Sequence, residues 1–136
     1  MAAAIVAEIN ATTWTPAVTA SRVWVSQTIL TTHAGIVVDV VPVGSTLELM
    51  GRIQSMRTVR VSVRVVKKLP HPSAVSDVDP VADLIEAIGE HFLRLRLPTL
   101  GNALVTAVED APPDQDAIEQ EGLAVGVCTL TVEVEL

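Results

Sequence analysis

From Arg57 to Lys68 the chain reads RTVRVSVRVVKK, with Val59, Val61, Val63 and Val65 alternating against Arg60, Ser62 and Arg64. A period of two puts the valines on one face of a β-strand and the polar residues on the other. β-Branched side chains suit a pleated, packed surface. Strands are also expected at 21–26, where Val23 and Val25 oppose Arg22 and Trp24, and at 36–42, a nearly continuous apolar run. Pro42 is expected to end that run and Gly44 to turn the chain. At 45–50 Leu47 and Leu49 alternate with Thr46, Glu48 and Met50, so this segment and the Arg57 strand form a long hairpin with its tip near 51–56. Further strands are expected at 103–108 and 123–136. In the last, Cys128, Leu130, Val132, Val134 and Leu136 share the core side, and Thr129, Thr131, Glu133 and Glu135 face out.

Two helices complete the pattern. Residues 2–11 carry Ile5, Val6 and Ile9 at helical spacing, in a segment short enough to need tertiary support. From 79 to 95 the apolar residues Val81, Leu84, Ile85, Ile88 and Phe92 make one stripe, with Asp83, Glu86 and Glu90 off it. Asp79 is the expected N-cap, Pro80 the first helical residue, and Pro98 a barrier to continuation. The fold class is therefore α+β: a mixed, mostly antiparallel sheet with a long β-hairpin, covered on one face by helices at about 2–11 and 79–95. The 136 residues make a single domain, 1–136.

Composition narrows the function. Apolar residues make up 49% of the chain, aromatics 2%, and mean hydropathy is +0.47. Small branched residues build thin cores and leave apolar faces that want a partner. No apolar run is long enough to span a bilayer, and MAAAIVAEIN lacks the basic start of a signal peptide. Cys128 is the only cysteine, which suits a reducing cytoplasm. The net charge of −7 disfavours general nucleic-acid binding. Its distribution is uneven: Arg52, Arg57, Arg60, Arg64, Lys67 and Lys68 fall together, whereas from Asp77 onward acids dominate. If the Arg57 strand and the terminal strand are neighbours, Glu133 can pair with Arg60 or Arg64 across the sheet.

Catalytic signatures are not found. His33, His71 and His91 have no metal-ligand spacing, and Cys128 alternates with core valines as a small buried hydrophobe. Asp77, Asp79 and Asp83 are separated by Pro80 and lack calcium-loop spacing; capping accounts for Asp79 and Asp83. Glu109, Asp110, Asp114, Asp116, Glu119 and Glu121 read as a solvated loop, with cation or partner binding as the alternative. An enzyme is not expected, nor a cofactor or a metal.

The runs TASRVWVSQ (19–27), IVVDVVPVG (36–44) and VSVRVVKKL (61–69) resemble the small tail-completion proteins of long-tailed bacteriophages, in particular the tail terminator group typified by minor tail protein U. The resemblance covers most of the chain, although the loop after Val108 is more acidic than the group's pattern. It implies a structural virion protein, a homohexameric ring that caps the tail tube, ends its polymerisation and offers a surface to the head. The implied partners are further copies of the chain, the major tail tube protein and a head-completion or neck protein. DNA would pass through the lumen without specific binding, and no membrane would be involved. The implied location is the head–tail junction of the virion, after assembly in the bacterial cytoplasm. In such a ring Arg52, Arg57, Arg60 or Arg64 of one subunit would face Glu109, Asp110, Asp114, Asp116, Glu119 or Glu121 of the next; intramolecular pairing or solubility is the plainer role for these arginines. Another neck, head-closure or adaptor protein, or a small cytosolic binding module, are the alternative functions.

Overall fold

The valine alternation lies at the centre of a six-stranded sheet in the computed structural model of the chain. The structure describes residues 1–14, 18, 20–22, 36–49, 54–69, 75–93, 95–97, 103–111, 113 and 123–135. In chain order the elements are α1 (Ala2–Ala11), β1 (Ala20–Arg22), β2 (Ile36–Leu49), β3 (Ser55–Lys68), α2 (Val75–Phe92), β4 (Arg96–Leu97), β5 (Ala103–Ala111) and β6 (Leu123–Glu135). The strands lie in the order β1-β2-β3-β6-β5-β4. Among the described residues only β1 and β2 run parallel, and the other pairs are antiparallel. The α+β class, the mostly antiparallel sheet and the long hairpin are as the sequence leads one to expect. Among the described residues no helix is long and apolar enough to cross a membrane.

Packing follows the stripe. Val81, Leu84, Ile85, Ile88 and Phe92 are all buried, against Val61, Val63, Val65, Leu130 and Val132 of the sheet. Each such side chain contributes about 1.5–3 kcal/mol by leaving water. Two glycines appear in this layer. A Cβ on Gly126 of β6 would lie 2.6 Å from Cγ1 of Ile85, so the bare backbone there lets α2 sit close to the sheet. A Cβ on Gly89 of α2 would lie 2.8 Å from a carboxylate oxygen of Asp110.

Helix α1 joins the same core through Ile5 and Ile9. Its C-terminal carbonyls are satisfied from outside the helix: Trp14 Nε1 donates to Ile9 O at 2.8 Å, and Thr12 Oγ1 donates to Glu8 O at 2.9 Å. His91 Nε2 meets Glu8 Oε1 at 3.0 Å, tying the end of α2 to α1, and Trp14 stands edge-on to the imidazole. The carboxamide of Asn10 reaches the edge strand. It accepts from Ala20 N at 2.8 Å and donates to Ala20 O at 3.2 Å, taking the place of a neighbouring strand.

Four boundaries differ from expectation. Pro42 does not end a strand: β2 is continuous from Ile36 to Leu49, and a register shift between Pro42 and Gly44 absorbs Val43 as a bulge. A bulge is where a strand tolerates a residue without an N–H. Gly44 lies opposite Arg60 and is not a turn residue. Helix α2 begins at Val75, so Asp79 is not its cap and Pro80 lies inside it. Val78 packs against the core and extends the stripe one turn backward, which outweighs the backbone cost of the proline. The helix also ends at Phe92, short of residue 95, because Leu95 and β4 turn to pair with β5. Finally, Glu109, Asp110 and Ala111 belong to β5 and not to a surface loop. Of the strand expected at 21–26, residues 23–26 lie outside the described residues, as does Leu136.

Candidate assembly surfaces

The hairpin is one structure with two environments. Its inner part, with Val38, Val40, Val61, Val63 and Val65, is fully buried under the helices. Its outer part is exposed along β2 from Val43 to Leu49. Leu47 is 58% exposed and Leu49 83%. The register sets Leu47 opposite Arg57, Arg57 opposite Val134, and Ser45 opposite Val59. Directly paired residues share a face, and faces alternate along a strand. Leu47, Leu49, Val59, Val134 and Arg57 therefore lie on the side of the sheet that carries α2, with Val59 and Val134 half-buried at the margin of the core and Leu47, Leu49 and Arg57 exposed beyond it. They form an apolar floor with one guanidinium in it.

The arginines separate by the same parity. Arg60 and Arg64 lie on the open side, in the row Thr58, Arg60, Ser62, Arg64, beside Thr129 and Thr131 of β6. Arg60 is exposed; Arg64 is half-buried, lies opposite the buried Asp39, and keeps its Nε without a hydrogen-bond partner. β3 and β6 are indeed neighbours, yet Glu133 lies opposite Thr58 and pairs with neither arginine among the described residues. Arg64 faces Val127, about 20 Å along β6 from Glu133, too far for contact. Arg52, Asp114, Asp116, Glu119 and Glu121 lie outside the described residues.

The two described acids of the 109–121 group also part company. Glu109 is opposite Thr129 on the open side, whereas Asp110 is opposite Cys128 on the helix side. Burial pushes the Cys128 thiol well above the usual thiol range, and the hydrogen bond to Asp110 and its charge push it the same way. The thiol is fully buried and stays protonated, so it behaves as a small apolar side chain with one polar contact.

A second charged surface was legible in the sequence only as residues off the apolar stripe. Asp79, Asp83, Glu86 and Glu90 are all exposed on α2. At 100° per residue they fall within roughly 60° of arc, a single acidic ridge. Leu93, 48% exposed, continues the ridge past the last helical residue and closes a turn by donating its N–H to Gly89 O at 3.1 Å. The ridge points away from the sheet, on the side opposite Arg60 and Arg64.

No protein-family model matches the chain, and no curated protein sequence matches it.

Proposed function

We propose that the chain is a structural protomer of a bacteriophage tail terminator: a ring, hexameric by the family resemblance, that caps the tail tube and receives the head. The reading rests on that resemblance, and the three runs that carry it overlap the three adjacent strands β1, β2 and β3. The single structural observation in its favour is the pair of unlike surfaces on opposite sides of one subunit. One side presents the exposed Arg60 in a row of hydroxyl side chains, with Glu133 and Glu109 on the same side; the other presents the acidic ridge of α2. A head-to-tail ring needs two different patches facing roughly away from each other, so that each subunit's front meets the next one's back. Charge complementarity of this kind fixes orientation more than it adds affinity. Partners in this reading are the major tail tube protein on one ring face and a neck protein on the other, with the ring at the head–tail junction of the virion.

The test is complementation of a phage that lacks its tail terminator. Restored tail length is the expected result, with loss of rescue when Arg60 is reversed to glutamate. Persistently overlong tails would overturn the reading. Cure of a head-closure defect in their place would transfer the protein to the neck.

A further inference from the structure

The apolar floor on the outer hairpin has a partner on the chain's own surface. The floor offers Leu47, Leu49, Val59 and Val134 around Arg57; the α2 ridge offers Glu86 and Glu90 followed by the exposed Leu93. One is apolar with a cation, the other acidic with an apolar end. Among the described residues Arg57, Glu86 and Glu90 make no ion pair within the subunit. Both surfaces look to the same side of the sheet. A second copy can therefore present its ridge to this floor only when turned over, and it then presents its own floor to the first copy's ridge. Two contacts form at once, related by a two-fold axis.

We infer that the free chain pairs in this way, with the outer hairpin of each copy lying over α2 of the other. The placement of α2 supports the fit. Leu95, just after the helix, accepts from Val105 N at 2.9 Å, and Val105 lies opposite Val132, which lies opposite Val59. The helix thus ends where the outer hairpin begins. In a turned-over copy Leu93 meets Val59 and Val134 near the axis, and Glu90 and Glu86 follow outward past Arg57 toward Leu49. The pair covers the most exposed leucines among the described residues before any tail is met. It uses the same α2 ridge as the ring contact but sets it against the floor and not against the open side, so a pair has to open before a ring can close.

Sedimentation of the full chain at about 100 µM reads the pairing directly. A dimer is expected, with Arg57→Glu and Glu90→Arg each weakening it by about tenfold or more and the double reversal recovering most of the loss. A monomer at that concentration, or a dimer indifferent to Arg57→Glu, overturns the inference. A second variant reads the symmetry. With Cys128 buried, the only reactive thiols of Leu49→Cys/Glu86→Cys are the introduced ones, and the pairing brings position 86 of one copy toward position 49 of the other. Mild oxidation by diamide is expected to close covalent dimers. A ladder of larger products, or no cross-linking between copies, overturns the two-fold arrangement. Tail length reports on the ring and not on this pair, so each reading can fail without the other.

Discussion

The inner and outer parts of the β2–β3 hairpin follow one rule of pairing and opposite rules of burial. Both alternate apolar and polar residues, and one register runs through both, broken only at Val43. Inside, Val63 is fully buried between β2 and β6 beneath the helices. Outside, Leu47 stands at a position of the same parity with more than half of its surface in solvent. Alternation decides which side chains share a face. Whether anything covers that face is decided by the length of the elements packed on it, and α2 ends at Phe92.

The same substitution made in both parts gives the sharpest contrast. Val63→Asp places an unpaired carboxylate in the apolar layer and should cost more than about 4 kcal/mol, enough to abolish a cooperative urea transition. A smaller effect comes from the layer beneath the helix. Gly126→Ala puts a methyl 2.6 Å from Ile85 Cγ1, in a place where neither strand nor helix can yield freely. It should lower stability by about 1–3 kcal/mol in the same titration. Gly89→Ala should cost less, because its nearest contact is the tip of an exposed Asp110 carboxylate and alanine favours the helix. The smallest effect is at the outer hairpin: Leu47→Asp should change unfolding free energy by no more than about 0.5 kcal/mol. A loss at Leu47 comparable with that at Val63 would mean that the outer hairpin is part of the core after all.

Much of the fold could be read from spacing alone. The stripe from Val81 to Phe92 and the parity of β3 are strong periodic signals, and every apolar residue of that stripe is buried. The errors cluster where a local signal competes with a distant contact. Pro42 and Gly44 look like punctuation, but pairing with β3 on both sides of Val43 carries the strand through them. Asp79-Pro80 looks like a helix start, but Val78 has a core to pack against. β4 is two residues long and leaves no periodic trace. For the surfaces, charge counts along the chain grouped Arg57 with Arg60 and Arg64, and Glu109 with Asp110. Parity divides both sets between the two sides of the sheet. The ridge of Asp79, Asp83, Glu86 and Glu90 could have been found by plotting the helix's polar residues as carefully as its apolar ones.

The bond pair between Asn10 and Ala20 has a further effect on how copies can combine. A bare sheet margin is a template on which another chain can add a strand, and such growth has no natural stopping point. Here a side-chain amide occupies the outward backbone groups of Ala20. Lateral zippering is thereby discouraged where Asn10 reaches β1, and association at that margin is diverted to side-chain faces, where geometry sets a finite number of copies.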